Sequence, residues 1–164
     1  MIRRVLIVVG LIASIGLIAW EVSKKERLLA SGDTLLLELA PVDPRSLVQG
    51  DYMRLDYAIA RQWPHDGSWP SDGSLIFATD DEGVAQFRRR DLGEPLTTGE
   101  HGLTYRIRKG RLQVGVDAFS FQEGLAATYQ PARYGEMRVA TDGTSLLVGL
   151  RDAERRPLGI TRGQ

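Results

Sequence analysis

A chain of 164 residues has room for one folded unit plus a short appendage, which excludes a multidomain enzyme. At 43% hydrophobic and 26% charged residues it can bury a core and is too apolar for a disordered polymer. Its formal charge is zero, it contains no Cys, and His65 and His101 are its only histidines, so disulfides, thiol catalysis, Cys-ligated zinc and any site needing several imidazoles are ruled out.

Residues 5–20, VLIVVGLIASIGLIAW, run sixteen residues without a charge, and Val22 and Ser23 extend the run past Glu21. As a helix rising about 1.5 Å per residue the run covers roughly 24 Å, somewhat less than a hydrocarbon core of about 30 Å. Arg3 and Arg4 can snorkel at one boundary, and Trp20 suits the headgroup layer at the other. Arg3-Arg4 before an apolar stretch also fits a cleavable signal peptide, but the small residues Ala13, Ser14, Gly16 and Ala19 make no A-x-A cleavage site. The expectation is a retained transmembrane anchor over 5–23, with a stub at 1–4, a juxtamembrane linker at 24–33, a β domain at 34–152 and a C-terminal tail at 153–164. Arg3 and Arg4 favour a cytoplasmic N-terminus and an extracytoplasmic domain, although Lys24, Lys25 and Arg27 on the other side weaken the argument from positive charge.

The first 27 residues hold five of the 21 cations and two of the 21 anions, so residues 28–164 carry a formal charge of −3. That is no nucleic-acid surface. Beyond Gly32 the hydrophobic period becomes two. Leu35, Leu37 and Leu39 alternate with Leu36, Glu38 and Ala40, and Leu55, Tyr57 and Ile59 alternate with Arg54, Asp56 and Ala58. Residues 74–79 and 84–90 flank the turn DDEG; 103–109 and 111–121 meet at Lys109-Gly110; 137–141 and 145–150 meet at Asp142-Gly143, a strong hairpin signal. Eight strand candidates without a long helical period between them predict a mainly β protein, an antiparallel sandwich or open barrel following the N-terminal transmembrane helix. One or two short helices are expected, at 43–48 behind the Asp43-Pro44 cap and at 124–130 before Pro131. The loop 61–73 carries Trp63 and Trp69, which either cover an open end of the core or bind something; the covering role is favoured.

The segment PVDPRSLVQGDYMRLDY at 41–57 contains Gly50, Asp51, Tyr52, Leu55 and Tyr57 in the pattern GDY, two residues, Leu, one residue, Tyr. It resembles the GDYXXLXY domain family of membrane-anchored bacterial proteins without an established molecular function. Phe121-Gln122-Glu123-Gly124 resembles that family's second block, an aromatic strand ending in Glu-Gly. Residues 117–121, DAFSF, depart from the family's acidic residue directly before an aromatic pair. The resemblance implies a single-pass protein of the bacterial inner membrane with a periplasmic domain, and a multipass membrane protein as partner. From the residues themselves the motif reads first as a turn at Gly50-Asp51 leading into a strand, with Leu55 and Tyr57 on one face and Arg54 and Asp56 on the other, and second as a functional surface.

The catalytic alternative pairs Asp51 with Glu123 as acid and base in a membrane-tethered hydrolase acting on an envelope substrate, although sequence spacing leaves the carboxylate separation open. A Ser46–Lys109 hydrolase and a metal site from His101, Glu100 and Asp91 are weaker, and Gly93, Gly99 and Gly102 do not make a phosphate loop. No cofactor or metal is implied. The reading favoured is a tethered, non-enzymatic envelope module whose β domain contacts another membrane protein.

Overall fold

The computed structural model describes residues 2–40, 48–49, 52–64 and 68–159. The first element, α1 (Ile2–Ser31), is one continuous helix of 30 residues, about 45 Å at the helical rise. It is long and apolar enough to cross a membrane, with a mean hydropathy of 2.4 in its most apolar stretch and none of that stretch covered by the rest of the protein. A helix satisfies its backbone polar groups internally, as lipid demands; Ser14 also donates its hydroxyl to the Gly10 carbonyl at 2.8 Å. The helix does not stop at the end of the apolar run. It continues through residues 24–31, assigned to a linker from sequence, because EVSKKERLLAS is rich in strong helix formers and brings Lys24 within 3.8 Å of Glu21.

Past Gly32 the chain is mainly β. Strands β1 (Asp33–Glu38), β9 (Tyr134–Val139), β10 (Ser145–Arg151) and β11 (Pro157–Leu158) form one antiparallel sheet in the order β1-β9-β10-β11. A second runs β5-β4-β6-β7, from β4 (Asp72–Thr79), β5 (Ala85–Arg90), β6 (Glu100–Arg108) and β7 (Arg111–Val114). The two curl toward each other as half-barrels, the open-barrel form of the architecture expected from sequence. They are joined along two lines. Leu36 donates its amide to Gly83 at 3.0 Å beside a parallel bridge to Val84, and Thr104 donates to Gly143 at 3.1 Å. Between them lie Leu35, Leu37, Met137 and Leu150 from one sheet and Leu75, Phe77, Leu103 and Val114 from the other, all buried at period two along their strands.

Turn chemistry sets the strand ends. Lys109 and Gly110 both take positive φ (51° and 69°), as a two-residue hairpin loop requires, and Gly143 does the same (φ 81°) at the β9–β10 tip. The run 111–121, expected as one strand, breaks at Gly115, whose φ of 68° turns the chain out of β7. Its second half, β8 (Ala118–Ser120), joins a third sheet with β2 (Val48–Gln49) and β3 (Tyr52–Arg54), in the order β2-β3-β8. Two one-turn helices complete the described residues: α2 (Ile59–Gln62) and α3 (Ala126–Tyr129). The first falls where the alternation through Ile59 predicts strand, since Ala58, Ala60, Arg61 and Gln62 favour the helical turn once Tyr57 has been placed. Of the short helix expected at 43–48, residues 43–47 lie outside the described residues, and Val48 is in a strand.

Candidate functional site

The motif strand sits where the three sheets meet. In β3, Tyr52, Met53 and Arg54 pair with Ser120, Phe119 and Ala118 of β8. The chain beyond stays extended: Leu55 donates its amide to the Asp117 carbonyl at 2.8 Å, Asp56 accepts from the Ala40 amide at 2.7 Å, and Tyr57 bridges to Leu39, just past the end of β1. The motif is thus hydrogen-bonded to β8 and to the continuation of β1, and ties the small sheet to the first half-barrel.

Alternation then sorts its side chains. Met53, Leu55 and Tyr57 are buried, with 1%, 4% and 3% of their surface exposed, whereas Tyr52 and Arg54 are exposed and Asp56 is half-buried. The Tyr57 ring lies against Gly135, where an added Cβ would stand 3.3 Å from Cε1 of the ring, and its hydroxyl donates to the Val116 carbonyl at 3.2 Å. Burial, reinforced by the nearby Asp117 carboxylate, pushes that hydroxyl well above the ordinary tyrosine range; the bond to Val116 offsets only part of the effect.

On the solvent side, Arg111 of β7 donates to Asp56 at 3.0 Å, and Gln113 donates through Nε2 to Asp117 at 2.6 Å. Recesses of about 60 Å³ and 190 Å³ flank the Asp56–Arg111 pair. Both are smaller than the roughly 300–1,000 Å³ of a pocket that encloses an organic ligand. A wider, open groove of about 1310 Å³ lies outside β4, β6 and β7, where Arg106 and Arg108 are matched by Asp72 and Asp117, so it has no net preference for one charge.

Gly50 and Asp51 lie outside the described residues, and with Asp51 goes the separation of the carboxylate pair considered for hydrolysis. Glu123 is exposed in the turn after β8, and Gly124 supplies that turn's positive φ of 84° in open space. The aromatics of the second block pack locally: Phe119 meets Tyr129 edge-on at 5.0 Å, and Phe121 stacks on it at 5.2 Å. The structure therefore brings Tyr57 together with Asp117 and Arg111, a grouping the sequence did not indicate, and leaves Tyr52 and Glu123 on the surface. The signal that could have found Asp117 was its position directly before the aromatic strand of the second block.

Other candidates are engaged separately. His101 faces Asp33 at 3.3 Å, the Glu100 carboxylate accepts from the Thr97 amide and from Arg89, and Asp91 accepts from the Gly93 amide. Among the described residues no three of His, Asp and Glu gather as metal ligands. Lys109 is in the β6–β7 turn; Ser46 and His65 lie outside the described residues. Trp63 is buried, and Trp69 packs on the core with its ring 6.4 Å from Trp63 and 5.6 Å from Tyr105, the covering role favoured from sequence.

Compared with known proteins, the chain is matched over residues 14–150 by the model of a family described as GDYXXLXY protein. No curated protein and no solved structure matches it.

Proposed function

Since the chain belongs to the GDYXXLXY family, we propose that it acts as a membrane-tethered interaction module: α1 anchors it in the bacterial inner membrane, N-terminus in the cytoplasm, and the β domain contacts another membrane protein on the outer side. The observation that carries this reading is how the motif is used. Leu55 and Tyr57 are spent on the core and on joining the small sheet to the first half-barrel, and the recesses beside them are too small to enclose an organic substrate. A fold-specifying motif leaves recognition to the surface. The small sheet ends in β8, which pairs with β3 on one side only among the described residues. A free edge lets a partner strand add through main-chain hydrogen bonds.

The test is a photoreactive residue at Ser120, exposed on β8, compared with one at Glu154, in cells expressing the full chain. The reading expects one discrete adduct with an integral membrane protein from position 120 and none from 154. The same pattern of adducts from both positions, or none from either, would contradict it.

A further inference from the structure

The β9–β10 hairpin is longer than β1 needs. Asp33, the first residue of β1, pairs with Val139, so Ala140–Thr144 extend past the start of β1; Gly143 is buried there, its carbonyl accepting from the Thr104 amide of β6 at 3.1 Å, while Thr141 and Asp142 stay exposed. The contacts of α1 with both hairpin strands and the action of the Lys24 charge on Asp142 place that extension back along α1, toward the end of the helix that carries the apolar run. The lengths agree: from Val139 to Asp142 is about 10 Å at the strand rise, and from Gly32 back to Lys24 is about 12 Å at the helical rise.

Contacts fix the hairpin there. Arg138 donates to the Gly32 carbonyl at 3.1 Å, placing a cation at the helix C-terminus where the dipole favours it. Gly32 permits the close approach: an added Cβ would stand 2.5 Å from the Leu28 carbonyl oxygen and 3.2 Å from that of Val139. Helix α1 touches both β9 and β10. Along α1 only Ser23, Leu28 and Leu29 are partly covered, every other described residue being exposed, and the Lys24 charge helps hold the Asp142 carboxyl below its usual range, after the stronger effect of the Thr144 amide. The cover thus reaches Ser23, one turn past Trp20. Lys24 in turn stacks its ammonium 3.5 Å over the Trp20 ring.

We propose that the exposed tip of the β9–β10 hairpin, at Thr141 and Asp142, rests in the phospholipid headgroup layer beside α1, so that the β domain is seated on the bilayer rather than held away from it on a stalk. This rests on reading α1 as the membrane anchor with Trp20 at the interface. Lys24 lies four residue steps along the helix from Trp20, about 6 Å along the axis, within the roughly 5–8 Å that headgroups add on each side of the hydrocarbon. The occupant of this surface is lipid headgroup of either charge, because Lys24, Lys25, Arg27 and Arg138 are matched by Glu21, Glu26, Asp33 and Asp142.

The absence of cysteine allows single-site labelling of the full chain. Thr141→Cys, exposed at the hairpin tip, and Glu154→Cys, in the turn at the far end of β10, would each carry a bimane label in phosphatidylcholine vesicles containing headgroup-nitroxide lipid, with or without phosphatidylglycerol. Several-fold stronger quenching at position 141 than at 154 in both vesicle types is expected. Equal quenching at the two positions in protein that floats with the vesicles would overturn the seated placement and leave the anchor intact. Protein that does not float with them would overturn the anchor and the placement together.

Discussion

Replacing Tyr57 separates a motif that builds the fold from one that forms a working surface. The side chain is 3% exposed, its ring rests on Gly135, and its hydroxyl donates to the Val116 carbonyl at 3.2 Å. Tyr57→Phe removes one neutral hydrogen bond and leaves a carbonyl short of a donor, a loss of about 1 kcal/mol. Tyr57→Ala also removes the ring and leaves a cavity between β9 and the 115–117 turn, a loss of about 3–5 kcal/mol, a large part of the roughly 5–15 kcal/mol that holds a typical domain folded. The assay is urea unfolding of the full chain in detergent micelles followed by tryptophan emission, for which buried Trp63 and half-buried Trp69 are the reporters. The expected order is wild type, then Phe, then Ala, with the larger step between Phe and Ala. An Ala variant within about 0.5 kcal/mol of wild type, as a surface substitution would be, refutes the assignment of Tyr57 to the core.

Four further outcomes follow from the geometry. With its hydroxyl raised in the folded state, Tyr57 keeps its proton where the unfolded chain would release it; its stabilisation is complete below about pH 10 and declines above that, and Tyr57→Phe should flatten this part of an alkaline unfolding curve. Asp80 is held below the usual carboxylate range chiefly by the Val84 amide, so its contribution is present above about pH 4 and is lost as pH falls below that; Asp80→Asn should reduce the acid dependence of the melting temperature. Glu136 is 5% exposed and accepts from Arg151 at 2.9 Å, so Arg151→Met strands a buried carboxylate and should cost about 3 kcal/mol in the same urea assay, while adding Glu136→Leu should restore most of it. Gly115→Ala forces a side chain into φ 68° and against the Met137 methyl, and should lower stability by at least about 1–2 kcal/mol, where Gly83→Ala, in open space, carries only the backbone strain.

The elements that were legible from sequence are those whose signal is local. The apolar run, the alternation in Leu35–Leu39, and the Lys109-Gly110 and Asp142-Gly143 turns each need only neighbouring residues to be decoded, and each is found close to its expected place. What was hidden depends on long-range pairing. Nothing local separates β7 from β8 except Gly115, whose role becomes visible only beside Met137 and Tyr57. The strand expected through Ile59 ends early because Tyr57 is fixed by Leu39, eighteen positions upstream, which leaves the following residues free to follow their helical propensity. The same limit applied to the motif. That Leu55 and Tyr57 share a buried face could be read from their spacing, but that Asp117 and Arg111 stand beside them could not, since both are brought in by strands more than fifty residues away in the chain.

The direct measurement is the intact mass and membrane retention of the protein recovered from cells. The anchored account predicts that it resists alkaline carbonate extraction and retains residues 2–31 ahead of the β domain. A soluble product beginning after Trp20 would contradict it.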